Sequence, residues 1–460
     1  MERGSTIMAR DGATPEDSRR GWSADDIRKL VDVETGTLDP RVYCDESLYQ
    51  IELEQVFGRS WLFLAHRSQI PKAGDYFTTY MGEDPVIVSR QKDGSVVAFL
   101  NQCRHRGMRL ARLDHGNTKF FTCSYHGWSY DSSGKLVNVP MEKNGYCSKL
   151  VKADWGAVRV PRVEEYKGLI FGCWDAEVPS LDESLGDAKF YMDAMFDRSD
   201  AGTEIWGGVH KWVIPCNWKF ASEQFCSDMY HAPLSHMSAI LAVMPAGVPP
   251  EAVQWPTEGL QWRSESAGHG TGFHTADDQG QLLAAIVGPA VAEYLMASRP
   301  RVAERLGATR THAVNGAHMT IFPTCSFLPG INTLRVWHPR GPNEIEVWAL
   351  AVVDADAPQA VKDQWGQGIT RSFSPGGMFE QDDGENWIEV QRVLRGTKSR
   401  RQPFNLQMGI GNEQSDARFP GKLSYVFSEA AARGFYTRWA RMMAGESHAE
   451  LAAAHQPEVR

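Results

Sequence analysis

Apolar and polar positions divide the chain into two regimes. In the first, short apolar runs alternate with turn residues: Val86 to Arg90 and Ser95 to Leu100 flank Lys92-Asp93-Gly94, and Trp128 to Tyr130 faces Lys135 to Val139 across Asp131-Ser132-Ser133-Gly134. Aspartate and glycine tolerate the tight backbone of a hairpin, so these runs predict a small antiparallel β domain over residues 57–175. Residues 22–56 precede it, with a helical pattern from Glu46 to Val56, and are expected to pack on the larger domain that follows. Residues 1–21 are polar and charged and read as a disordered leader rather than a signal peptide. The second regime, residues 176–460, mixes helices with longer strands. Asn332 to His338 and Glu344 to Val353 are joined by Pro339-Arg340-Gly341-Pro342-Asn343, and Leu423 to Met443 reads as a closing helix rich in aromatic residues. The fold class expected is α+β, with no internal repeat and no low-complexity tract.

Composition narrows the function classes. With 460 residues, 42% of them hydrophobic, the chain can bury a substantial core in more than one domain. Its 48 basic against 57 acidic residues leave a net charge of −9, which argues against nucleic acid as a partner. No apolar run is long enough to span a membrane. Of the eight cysteines, Cys44, Cys147, Cys173, Cys216, Cys226 and Cys325 follow no disulfide spacing, which fits a reducing cytoplasm.

The other two cysteines carry chemistry. Cys103 and His105 form one short hook and Cys123 and His126 a second, each after an extended apolar run, Val96 to Leu100 and Lys119 to Thr122. Zinc accepts the same four ligands, so ligand type alone does not name the ion. A zinc finger of the two-Cys, two-His kind keeps its cysteines together and its histidines together, whereas each hook here holds one of each. That suits a 2Fe-2S cluster with one iron on both thiolates and the other on both imidazoles. Neutral imidazoles lower the negative charge on such a cluster and raise its potential. With Gly107 and Tyr125-His126-Gly127-Trp128, the hooks resemble the Rieske motif.

An electron carrier needs only about a hundred residues, so most of this chain must do something else. Trp218 to Tyr230 has helix composition, and on it Asp228 and His231 would share a face. His236 lies five residues beyond His231, and Pro233 is expected to break the helix so that His236 swings back. Two histidines at a helix break can begin an iron site that needs one more carboxylate, or they can be satisfied core histidines. Carboxylates crowd the run Phe379-Glu380-Gln381-Asp382-Asp383-Gly384-Glu385-Asn386-Trp387, a pattern that is usually a solvated helix start.

Taken together, the three motifs resemble the large, or α, subunit of aromatic ring-hydroxylating dioxygenases, over about Asp39 to Met443 and most closely the biphenyl, toluene, ethylbenzene and phenylpropionate branch. The resemblance implies a small antiparallel β Rieske domain and a larger catalytic domain with an antiparallel sheet surrounded by helices. It implies one 2Fe-2S cluster on Cys103, His105, Cys123 and His126, and one mononuclear Fe(II) per chain on His231, His236 and Asp383, with Glu380, Asp382 and Glu385 as surroundings. The four-residue gap between the histidines, where some biphenyl enzymes have five, weakens any transfer of their substrate preference.

Asp228 can orient His231 from one turn away; by resemblance it also bridges His126 of one subunit to His231 of the next in a ring of three α subunits. The implied assembly is an α3β3 hexamer with a small β subunit. No G-x-G-x-x-G follows a strand, and Gly268-His269-Gly270-Thr271-Gly272 does not fit, so NADH and flavin belong to a separate reductase, with a ferredoxin between.

The substrate pocket implied comprises Gln224, Phe225, Met229, Ala232, Gly316, Leu328, Ile331, Phe373 and Phe379. With no Arg or Lys among them, an aromatic hydrocarbon is expected over a carboxylated substrate. The expected reaction inserts both atoms of O2 to give a cis-dihydrodiol. A Rieske-type monooxygenase or demethylase would use the same ligands; a pure electron carrier or a structural zinc protein would use only the hooks.

Overall fold

The computed structural model describes residues 21–244, 247, 249, 255–276 and 280–453. Residues 1–20 of the expected leader lie outside that range.

The hairpins of the first regime form at the expected places. Asp84–Arg90 pairs antiparallel with Val96–Leu100, with Arg90 opposite Val96, and the sheet continues through Asp75–Met81 to His115–Asn117. A second sheet runs Leu136–Asn138, Ser129–Asp131, Phe120–Thr122. A third pairs Leu62–His66 with Leu169–Cys173 and Arg162–Tyr166, tying the start of the unit to its end.

The two hooks project from these sheets as equivalent turns. Cys103 N–H donates to Met108 O (2.8 Å) and Gly107 N–H to Cys103 O (2.9 Å); Cys123 N–H donates to Trp128 O (2.8 Å) and Gly127 N–H to Cys123 O (2.9 Å). Each turn closes at a glycine with positive φ, +77° at Gly107 and +74° at Gly127, a conformation strained for any residue with a Cβ.

The second regime is organised by an eight-stranded antiparallel sheet in the order Thr203–Ile214, Ile345–Asp354, Thr333–Pro339, Cys325–Leu328, Asn315–Ile321, Gly270–His274, Gly259–Arg263, Lys422–Tyr425. The last strand corrects the sequence reading, which ran one helix from Leu423 to Met443. Residues 422–425 instead pair with Gly259–Arg263, Leu423 opposite Trp262, and the helix begins only at Ala430. A four-residue strand is decided by an edge that the rest of the sheet supplies, a non-local cause that local composition does not carry.

The helix Trp218–Ser227 is bound to this sheet by side chains that reach its carbonyls: Thr320 Oγ1 donates to Ser222 O (2.8 Å), His318 Nδ1 to Phe225 O (2.6 Å) and Gln261 Nε2 to Ser227 O (2.6 Å). On its other side, Glu52 accepts from the indole nitrogens of Trp218 (2.9 Å) and Trp439 (2.7 Å) and pairs with Lys219. Both charged side chains are essentially inaccessible, at 0% for Lys219 and 1% for Glu52. Burial pushes the Lys219 pKa down and the Glu52 carboxylate opposes the shift. Glu52 ends the helix Glu46–Glu52, after which the backbone widens into a π-helical turn over Leu53–Phe57. Tyr43 stacks on Phe220 at 4.1 Å, and Thr37–Leu38 pairs with Phe404–Asn405. The segment before the β unit is thus packed on the larger one.

Removing one member of a buried ion pair leaves the other charge unpaired, which typically costs about 3–5 kcal/mol. Glu52→Ala is therefore expected to lower the unfolding free energy of the larger unit by that scale, and Glu52→Gln by less, because its one carbonyl oxygen can still accept from one of the two indoles; tryptophan fluorescence during urea unfolding reads the difference.

Candidate active site

The first site lies at the hook tips. Cys103 and Cys123 are buried, and the rings of His105 and His126 meet edge to face with centroids 4.4 Å apart. His105 stacks on Trp128 at 5.1 Å, while its Nδ1 is buried without a hydrogen-bond partner. The Tyr130 hydroxyl accepts from Arg104 N–H (3.0 Å) and lies 3.6 Å from Cys103 Sγ. Burial pushes the Cys103 thiol pKa up and the His105 pKa down, the latter helped by neighbouring His126. Two thiols and two imidazoles converging from equivalent turns, one ring nitrogen of them orphaned, fit a histidine-ligated 2Fe-2S cluster.

The second site forms where the Trp218–Ser227 helix stops. The sequence reading carried this helix to Tyr230 and let Pro233 break it. The structure ends it three residues earlier, with Asp228 at φ −87°, ψ 79°, and Pro233 sits instead in the first turn of a new short helix, Ala232–Ser235, where its missing N–H costs nothing. Asp228 and His231 are consequently joined by a capping turn rather than by a helix face: Asp228 Oδ1 accepts from His231 N–H (3.0 Å).

That turn sets the tautomer of His231. Its Nδ1 lies 2.7 Å from the Asp228 carbonyl, which can only accept, so Nδ1 carries the proton and the Nε2 lone pair is free. Likewise His236 Nδ1 faces Asp382 Oδ2 at 3.2 Å, leaving its Nε2 free. The two Nε2 atoms are 3.3 Å apart, and Asp383 Oδ1 lies 3.2 Å from the first and 3.3 Å from the second. Donors about 2.1 Å from one ion and at right angles to each other lie roughly 3 Å apart, so this near-equilateral triangle has the dimensions of one face of an octahedron.

Asp383 Oδ1 is buried and makes no hydrogen bond. Burial alone would raise the Asp383 pKa, but His231 and His236 outweigh it and hold the carboxyl below the usual range. For His231, burial disfavours protonation, yet Asp228 and Asp383 together hold its pKa well above the ordinary value. The site favours positive charge, and the donor set fits a divalent iron.

Asp383 is supplied by the helix Met378–Val393, whose inner face buries Phe379, Glu380, Asp383 and Trp387. The acidic run is therefore not a solvated helix start. Glu380 pairs with Arg335 at 2.6 Å, both inaccessible, and burial pushes its pKa up to about 7. Arg335 Nη2 in turn donates to Phe373 O (2.5 Å). Glu385 lies on the exposed side of the helix.

Above the triangle opens a cavity of about 260 Å³. Gln224, Phe225, Met229, Ala232, Gly316, Leu328, Ile331, Phe373 and Phe379 all line it, together with Asp228 and the three triangle residues. Sequence reasoning missed Leu283, Ile286, His274 and His318. The first two belong to the apolar run of the helix Gly280–Val287, a detectable signal; the histidines sit singly in strands and give none. Beyond those nine residues, arginines also reach the lining: Arg198, Arg299 and Arg310, of which the first is paired with Asp354 (3.1 Å) and the last with Asp193 (3.0 Å).

Comparison with known proteins places both sites in a family context. Residues 60–166 match the Rieske 2Fe-2S domain, and residues 186–445 match the ring-hydroxylating α subunit catalytic domain. The chain is 60% identical over 437 residues to the biphenyl 2,3-dioxygenase subunit alpha of Rhodococcus jostii (strain RHA1), covering 94% of each. It is 55% identical over 442 residues to the benzene 1,2-dioxygenase subunit alpha of Pseudomonas putida, covering 95% of this chain and 97% of that one. Among solved structures, naphthalene 1,2-dioxygenase with indole bound superposes with a TM-score of 0.86 at 37% identity, over 92% of this chain and 95% of the other.

The triangle distinguishes the paired aspartates. Asp383→Ala is expected to abolish mononuclear iron while leaving the visible spectrum of the cluster intact; Asp382→Ala, which removes only a partner of His236 Nδ1, should retain iron with affinity weakened about 10- to 100-fold. Iron-to-sulfide ratios of the two purified variants separate these outcomes.

Proposed function

This chain belongs to the family of ring-hydroxylating dioxygenase α subunits, and from that premise we propose that it is the terminal oxygenase for an uncharged aromatic hydrocarbon between benzene and biphenyl in size. Family membership makes it an oxidoreductase, an aromatic ring dioxygenase with a Rieske 2Fe-2S cluster and a mononuclear iron. The observation that carries the substrate reading is the cavity wall: apolar side chains end on the His231, His236 and Asp383 triangle, and Arg198 and Arg310 are neutralised by Asp354 and Asp193.

The protein's part in the reaction is positioning and exclusion. When bound, the iron activates dioxygen and the cluster supplies single electrons. His231, His236 and Asp383 would hold the iron from one side, leaving the cavity side open for dioxygen and substrate. Phe379 lies edge-on to His236 at 5.1 Å, and Phe373 tilts against Phe379 at 5.5 Å, so an arene entering the cavity meets aromatic surfaces that orient it next to the metal. Such a wall also keeps water from the reacting atoms.

Electron delivery is the second part of the proposal. Among the described residues no hydrogen bond or ion pair joins Asp228 to His105 or His126 of the same chain, and the Asp228 side chain retains 35% exposure. Exposed apolar side chains flank both ends, Tyr125 at 58% beside His126, and Tyr230 at 61% and Leu234 at 86% beside His231. These surfaces support an arrangement in which His126 of one subunit faces Asp228 of the next, with a β subunit completing an α3β3 hexamer and a ferredoxin and NADH-dependent flavin reductase feeding the cluster. No helix among the described residues is long and apolar enough to cross a membrane, and the proposed compartment is the cytoplasm.

Turnover of an arene panel with a reconstituted reductase and ferredoxin is expected to yield cis-dihydrodiols from benzene, toluene, ethylbenzene and biphenyl. Phenols or formaldehyde as the main products would assign the chain to monooxygenation or demethylation instead. For the electron path, co-expression of His126→Ala with His231→Ala is expected to restore a measurable fraction of activity, since an intact cluster on one chain can serve an intact iron on its neighbour. A wholly intrachain path leaves every mixed assembly inactive.

A further inference from the structure

Gln224 reaches the metal triangle from the helix Trp218–Ser227, and its amide is held from behind. The Trp387 indole N–H donates to Gln224 Oε1 at 2.7 Å, and Gln224 Nε2 lies 3.4 Å from His231 Nε2. Both side chains are almost fully buried, 4% exposed for Trp387 and 7% for Gln224. An indole nitrogen is a donor only, so the amide atom facing it must be the oxygen. Flipping the amide would set two donors against each other in a dry site and leave both unsatisfied. Trp387 is itself fixed by an edge-to-face contact with Trp337 at 5.7 Å and lies one helical turn beyond Asp383, on the same helix.

The consequence concerns which end of the amide the metal meets. A free glutamine beside an iron with open positions would offer its carbonyl oxygen as a fourth protein ligand, because oxygen binds a hard cation and an amide NH2 does not. Here the indole occupies that oxygen. The NH2 is turned toward the triangle, and with His231 Nε2 committed to a metal those hydrogens would be available to an oxygen acceptor on the open side of the site.

We infer that Trp387 is a positioning residue that withholds the Gln224 carbonyl from the iron and presents its NH2 as a hydrogen-bond donor to the open side of the site. One helix thereby supplies both the carboxylate that binds the metal and the indole that keeps a second potential ligand off it.

The inference rests on iron binding at His231, His236 and Asp383, so the experiment begins with the iron content of the wild-type holoenzyme. Absence of mononuclear iron there refutes that reading of the site. With iron present, three variants are compared by the rate of iron removal by a chelator and by the near-infrared magnetic circular dichroism of the Fe(II) site, which reports coordination number. Trp387→Phe frees the amide, and iron removal should slow on the order of tenfold, the scale on which one contact beside a bound metal alters its retention, with the spectrum moving toward higher coordination. Adding Gln224→Leu to Trp387→Phe should return both readouts to wild type. Gln224→Leu alone should leave both close to wild type, because no ligand has been lost, and this arm does not depend on Trp387→Phe folding. Faster iron removal and a lost ligand in Gln224→Leu would show that the amide coordinates in the native enzyme and overturn the inference. A folded Trp387→Phe with wild-type spectrum and removal rate would overturn the lock.

Discussion

The iron site depends on where one helix stops. Trp218–Ser227 is clamped to the central sheet through its carbonyls by Thr320, His318 and Gln261, and its backbone leaves the helix at Asp228. A helix end leaves N–H and C=O groups without partners, and here those groups become the scaffold of the metal site. The Asp228 carbonyl fixes the His231 tautomer, its carboxylate caps the following N–H, and Pro233 opens the next short helix so that His236 comes back over His231. Continuing the helix would remove the carbonyl that orients His231 and carry His236 away.

Two buried ion pairs hold the elements that meet at this point. Glu52 with Lys219 joins the N-terminal segment to the clamped helix, and Glu380 with Arg335 joins the helix of Asp383 to the sheet and, through Phe373 O, to the cavity wall. Burying such charges is costly, and their retention is not in itself a source of stability. What they add is geometry. Each is shared by elements distant in the chain, so a shift of either element unpairs a charge in a dry interior.

The cluster unit solves a different problem. Its sheets are small and its hooks stand at the surface, with His126 exposed. Precision there comes from two copies of one turn, each closed by a glycine with positive φ, and from Tyr130 and Trp128 against Cys103 and His105. A cluster at an exposed tip suits electron exchange with another protein surface, while the His231, His236 and Asp383 triangle lies beneath a largely apolar cavity.

Local chemistry was legible in the linear chain. The hairpins, the Cys and His hooks and the histidine pair at 231 and 236 are written in turn residues and short spacings, which act over a few residues and require no distant partner. Resemblance to a family supplied Asp383 and the pocket; periodicity alone did not separate Asp383 from Asp382, since the two are adjacent and only tertiary packing decides that one turns to the triangle and the other to the far side of His236. The end of the helix at Ser227, the edge strand at Lys422–Tyr425, the capping role of Asp228 and the grip of Trp387 on Gln224 likewise became visible only in three dimensions. The edge strand, the clamped helix end and the grip on Gln224 depend on hydrogen-bond partners from remote parts of the chain, and the Asp228 cap on the helix ending where that clamp ends it; for a buried polar group it is the partner, not the local sequence, that sets the conformation of lowest free energy.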